Sequence, residues 1–171
     1  MKLSWLLLLL GVVGLAGCGR PFDIKTPPGF VELENQEPEF AYRALSPEGV
    51  VVGVRVMSLD NQGDLDFWAR AVTLRMRQLN GYALLESVAV ASRDGTKGTE
   101  LRFGHDEGGK PYLYRIRLFL AQGRLFVVET GGSQLDMASY QKSLDWGLAT
   151  VRVKCDTFVS PVLASKTCNR W

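Results

Sequence analysis

The stretch 113-LYRIRLFLAQGRLFVVETGG-132 decides the fold. Apolar, aromatic and β-branched residues crowd both sides of Gln122-Gly123, and that dipeptide has the chemistry of a hairpin turn. Pro111 to Ala121 reads as one strand and Arg124 to Thr130 as the next. In the first, Tyr112, Tyr114, Ile116, Leu118 and Leu120 share one face, and Leu113, Arg115, Arg117 and Phe119 share the other.

The same period of two extends upstream. Tyr82 to Ala91 and Thr96 to His105 are further strands, joined through Asp94-Gly95 and Glu107-Gly108-Gly109, so four strands form a meander. Before it the period changes. Leu65, Trp68, Val72, Met76 and Leu79 fall at helical spacing, Asp60, Asn61 or Asp64 can cap the start, and Asn80-Gly81 ends the helix. Earlier still, Phe30 to Leu33, Glu39 to Leu45 (alternating around Phe40, Tyr42 and Ala44) and Val50 to Met57 read as strands, with a turn at Pro47-Glu48-Gly49. After the meander, Ser133 and Asp136 suggest a capping box, and Met137, Tyr140, Leu144, Leu148 and Val151 form the stripe of a second helix. Trp146 lies off that stripe. The expected class is α+β: an antiparallel sheet of about six to seven strands covered by two main helices.

Residues 1–17 read as a secretory leader, with Lys2 at the start, an apolar run from Leu6 to Leu15, and Ala16-Gly17 before a cut. The run is shorter than the ~20 residues a spanning helix needs. Leu15-Ala16-Gly17-Cys18 resembles the lipobox of bacterial lipoproteins. That resemblance implies a diacylglycerol on the Cys18 sulfur and a mature chain beginning there. Gly19 after the cysteine, by the same resemblance, implies the outer membrane, facing the periplasm.

Removal of the leader leaves 154 residues, one ordinary domain. The whole chain carries a net charge of only +2, which gives no reason to expect a nucleic-acid partner. Residues 18–28, with Pro21, Pro27 and Pro28, read as a lipidated cysteine and short tether, 29–153 as the domain and 154–171 as a tail. In an oxidising compartment Cys155 and Cys168 are expected to pair, closing a loop worth ~3 kcal/mol.

The element order resembles the PsbP-like fold, shared by the PsbP subunit of photosystem II, DcrB-type bacterial lipoproteins and a yeast Ran-binding import factor. Residues 26–153 carry the likeness: Pro27-Pro28-Gly29-Phe30, the helix after 50-VVVGVRVMSLD-60, the 113–132 hairpin, and the Tyr140, Leu144, Leu148 pattern before Val151-Arg152-Val153. It implies an α/β/α sandwich, and proteins that mostly act as binding or assembly factors. The tail with its two cysteines departs from the pattern.

No catalytic constellation is readable. His105, the single histidine, comes with no nucleophile-elbow motif, and with Cys155 and Cys168 it matches no zinc spacing. Asp60, Asp64 and Asp66 lack the glycine and glutamate of a calcium loop and read better as helix capping. No glycine pattern cradles phosphate or dinucleotide, so no metal and no cofactor are expected. Arginines supply much positive charge: Arg70, Arg75 and Arg77 on the helix, Arg102, Arg115 and Arg117 on strands. They form a solvated face or a docking surface for an acidic partner or lipid headgroups. The expectation is a non-enzymatic envelope lipoprotein, held to the membrane through Cys18, that binds another envelope protein. Arg70, Arg75, Arg77 and Trp146 are the candidate partner surface. The alternatives are a carrier of a small molecule or lipid with a cleft between sheet and helix, and a hydrolase using His105.

Overall fold

The computed structural model describes residues 20–34, 37–59 and 63–153. Cys18 and the leader, Asp60 and Asn61, and the tail with Cys155 and Cys168 lie outside the described residues. Seven strands form one antiparallel sheet: β1 (Val31–Glu32), β2 (Tyr42–Leu45), β3 (Val51–Ser58), β4 (Ala83–Ala91), β5 (Lys97–Glu107), β6 (Lys110–Ala121) and β7 (Arg124–Ser133). Their spatial order is β1-β2-β3-β7-β6-β5-β4, so the β6–β7 hairpin occupies the middle. Gln122 and Gly123 both have positive φ, 52° and 69°, as a two-residue hairpin turn demands.

Helix α1 (Leu65–Asn80) follows β3. The Asp64 carboxylate accepts the Phe67 amide at 2.7 Å, and Gly81 stops the helix in the left-handed conformation, φ 66°, with its amide bound to the Met76 carbonyl. The expected second helix is two short ones, α2 (Gln134–Ser139) and α3 (Gln141–Ala149). Ser133 does cap α2, its hydroxyl accepting the Asp136 amide. The joint is Tyr140, whose ring meets Phe30 edge-on at 5.2 Å and whose hydroxyl donates to Glu48. The stripe survives the break: Met137, Leu144, Leu148 and Val151 are all buried.

Each face of the sheet has its own core. Leu101, Phe103, Ile116, Leu118, Leu125 and Val127 pack with Met76, Val72 and Trp68 of α1. Val52, Val54, Phe119, Phe126 and Val128 pack with Met137, Leu144 and Leu148 of α2 and α3. Neighbours along one strand thus serve opposite layers, giving an α/β/α sandwich. Two expected core positions fall elsewhere. Leu79, at the last turn of α1, is exposed. Phe40 precedes β2 and does not share the face of Tyr42 and Ala44; its ring lies across Gly53, where any Cβ would meet it at 2.6 Å.

The tether reading is corrected. Phe22 and Ile24 are buried in the core with Val151 and Val153, and Asp23 pairs with Arg152 as an isolated antiparallel bridge. Pro27 packs so closely on α3 that a side chain at Gly147 would meet it at 2.6 Å. Proline richness suggested a spacer, but the apolar residues between the prolines make residues 20–28 part of the domain. Phe22→Ala should therefore destabilise the domain by about 3–5 kcal/mol in chemical denaturation, as a core phenylalanine does; a spacer residue would cost nothing measurable.

Candidate functional site

The six arginines grouped by composition separate into two sets. Arg102, Arg115 and Arg117 stand on β5 and β6 and converge on Glu100, which is completely buried. Arg102 Nε lies 2.7 Å and Arg117 Nε 2.5 Å from its carboxylate, with Arg115 Nη2 at 3.2 Å. The register puts Arg102 opposite Arg115 and Glu100 opposite Arg117. Facing like charges would repel, and the carboxylate between them removes the conflict. Burial alone would raise the Glu100 carboxyl, but hydrogen bonds from Arg102 and Arg117 and the charges of Arg117 and Arg115 hold it at about 2. The cluster also ties the sheet to α3, because Arg115 reaches Asp145 at 2.9 Å and Arg117 donates to the Leu148 carbonyl at 3.3 Å. All three are engaged in ion pairs, Arg115 and Arg117 largely buried and Arg102 part exposed, with Glu86 as its second partner.

Arg70, Arg75 and Arg77 are different. They are exposed and make no ion pair among the described residues. Phe67, Arg70, Leu74 and Arg77 follow each other at intervals of three and four and so share one face of α1. Phe67 is 49% and Leu74 54% exposed, large values for apolar residues on a helix already buried along its other side. Arg75 falls outside this row. Trp146, 46% exposed on α3, belongs to the opposite layer, so the candidate residues form two separate surfaces rather than one.

A third feature was not anticipated. Beyond the end of α1 the sheet face opens into a hollow of about 290 Å³ lined by Phe40, Arg43, Tyr82, Tyr114, Glu129 and Gly131. Glycine creates the room: the Tyr114 ring lies over Gly131 as Phe40 lies over Gly53. Arg55 stands 4.2 Å from the Phe40 ring centre and donates to Glu129 at 3.0 Å. Burial raises the Glu129 carboxyl, and the Arg55 charge with hydrogen bonds from Tyr114 and Arg55 lowers it only in part. Burial and the Glu129 charge raise the Tyr114 hydroxyl in turn.

His105 adjoins the hollow through Tyr82, against whose ring it packs, and its Nδ1 lies 3.1 Å from the Gly81 carbonyl. Among the described residues no group of three or more His, Cys, Asp or Glu side chains could hold a metal ion, and no helix is long and apolar enough to cross a membrane.

No protein-family model matches the chain, and no curated protein matches it. Solved structures do. The chain is similar to cyanobacterial PsbP (CyanoP) from Synechocystis, with 15% identity over 84% of this chain and 98% of that one, TM-score 0.53. It is similar to LpqN, involved in cell envelope biogenesis of Mycobacterium tuberculosis, with 12% identity over 76% and 81%, TM-score 0.55. It is similar to the Ran-binding protein Mog1p of Saccharomyces cerevisiae, with 14% identity over 78% and 90%, TM-score 0.53. At such identities the likeness is one of fold, and the fold is PsbP-like.

The two buried carboxylates should behave oppositely with pH. Glu100 ionises near pH 2 in the folded protein against about 4.3 in the unfolded chain, so its contribution is present above about pH 5 and lost as pH falls toward 2. Glu100→Gln should cost about 3–5 kcal/mol at pH 7, because Arg117 loses its carboxylate while Arg102 and Arg115 keep only Glu86 and Asp145. Glu129, with its raised carboxyl, holds a proton more firmly when folded. Its contribution therefore falls as pH rises above about 4.3, and Glu129→Gln should remove that dependence. Urea titrations of both variants between pH 3 and pH 8 check the signs.

Proposed function

We propose that this chain is an envelope lipoprotein without catalytic activity, whose PsbP-like domain binds another protein through the outer face of α1. The observation that carries the reading is the row Phe67, Arg70, Leu74, Arg77, in which exposed apolar side chains alternate with exposed guanidiniums that make no ion pair among the described residues. Such a face suits a partner with apolar contacts rimmed by carboxylates. Alternation matters here, since apolar burial supplies affinity while the arginines set orientation and reject basic surfaces. The cysteine of Leu15-Ala16-Gly17-Cys18 would carry the lipid and hold the domain at the membrane, with Gly19 favouring the outer one. Paired Cys155 and Cys168 would staple the tail.

The fold neighbours support a binding role by analogy only. One is described by its binding of Ran and another by its involvement in envelope biogenesis, and both descriptions belong to those proteins. A second reading, a carrier of a small molecule, draws on the hollow beside Glu129. At about 290 Å³ and open to solvent it lies at the lower limit of ligand pockets, which run from ~300 Å³ upward.

Crosslinking in intact cells followed by mass spectrometry tests the proposal. The expected result is one dominant envelope protein, captured by the wild type and lost in Arg70→Glu with Arg77→Glu, while Trp146→Ala still captures it. Loss with Trp146→Ala and retention in the arginine variant would move the surface to α3. Cys18→Ala should shift the protein from the membrane to the soluble fraction; continued membrane attachment would refute the lipid anchor.

A further inference from the structure

The folded domain begins almost at the proposed anchor. One residue, Gly19, separates Cys18 from Arg20. Arg20 is already held: its guanidinium pairs with Glu32 at 2.5 Å and lies 5.4 Å over the Tyr42 ring. Two residues further, Phe22 is 2% exposed. Asp23 then exchanges two backbone hydrogen bonds with Arg152, of 3.0 and 2.9 Å. The last described residues are fixed beside it, the Val153 amide donating to the Asp94 carboxylate at 2.7 Å. A residue spans at most about 3.6 Å, so Cys18 Cα lies within about 7 Å of Arg20 Cα.

A lipid on that cysteine leaves no spacer. We infer that the surface around the Asp23–Arg152 bridge and the neighbouring β1 edge rests directly on the phospholipid headgroups, which fixes the orientation of the whole domain on the membrane. The inference depends on the lipoprotein reading of Cys18. Charge agrees with it. Lys25, Arg93 and Arg152 are exposed, and none makes an ion pair among the described residues. All three gather around residues 150–152: the Lys25 amide donates to Thr150 Oγ1 at 2.9 Å and the Arg93 amide to the Val151 carbonyl at 2.8 Å. The acids among them are Asp23 and Asp94, and the Asp94 carboxylate already accepts from the Val153 amide. Three cations against two carboxylates leave a positive balance that suits phosphate oxygens. The turn that carries Glu107 stands at the opposite end of β5 from Lys97, which adjoins the Asp94 turn, and so faces away.

Maleimide–polyethylene glycol labelling of membrane-bound protein tests this. Single cysteines are introduced by Arg152→Cys or Glu107→Cys in acylated protein whose Cys155 and Cys168 are serine. Position 152 should label about tenfold more slowly than position 107, because membrane covers it. The two should label alike in Cys18→Ala protein released from the membrane. Inserting about ten Gly/Ser residues between Gly19 and Arg20, a spacer of roughly 17 Å, should bring position 152 up to the rate of 107. Equal rates at both positions in the membrane-attached parent would overturn the orientation while leaving the anchor intact. If Cys18→Ala stays on the membrane, the anchor itself fails. Circular dichroism of each variant establishes that the compared proteins are folded.

Discussion

The rest of the structure hangs on a central hairpin that is apolar on both faces. Leu118 and Phe119 are adjacent in β6, both wholly buried, and they point into different layers; Leu125 and Phe126 repeat this in β7. A strand pair of this kind cannot tolerate water on either side. It requires a helix beneath and helices above, and it must sit mid-sheet, which is where the strand order puts it. The two layers are then filled differently. α1 alone covers one face over β5 and β6. On the other, α2 and α3 share the work with the segment 22–30, whose Phe22, Ile24 and Phe30 complete the core.

The most deeply buried charged group inside this arrangement is Glu100. A carboxylate without access to water is held ionised by three guanidiniums, two of which face each other across β5 and β6. Removing only the acid would leave the guanidiniums facing one another, and removing only the bases would leave a buried anion. The cluster is therefore more persuasive as a device for register and for seating α3 than as a source of stability. It also narrows the functional question, because it engages Arg102, Arg115 and Arg117 in ion pairs and separates them from the exposed arginines of α1.

Most of the fold was legible because it rests on local periods. Strand alternation, the Gln122-Gly123 turn, the Asp64 and Gly81 caps and the Ser133 cap are short-range chemistry, visible in a window of a few residues. What was missed is long-range. Glu100 looks like one acid in a strand until the Gly108-Gly109 turn is used to count register, which sets it opposite Arg117; that count was available and would have found it. The face taken by Phe40 depends on Gly53, on another strand. The break at Tyr140 depends on Phe30 and Glu48, each far away in the chain. Residues 20–28 were hidden by their prolines. The site was less legible than the fold: the α1 arginines were singled out, but their separation from Trp146 by the thickness of the sheet follows only from topology, and the glycine-floored hollow at Glu129 left no local signal.

The bridge between Asp23 and Arg152 has a kinetic consequence. The first described segment docks against the last, so some of the most buried residues, Phe22, Ile24, Val151 and Val153, make contacts about 130 positions apart along the chain. Closing so long a loop is entropically unrewarded until the end of the domain is present. A chain delivered N-terminus first, from a ribosome or through a membrane pore, can form the β6–β7 hairpin and α1 early. It cannot seal its core until its final strand-like residues have emerged. Sealing of the core therefore waits on the delivery of residues 151–153, whatever has folded before them.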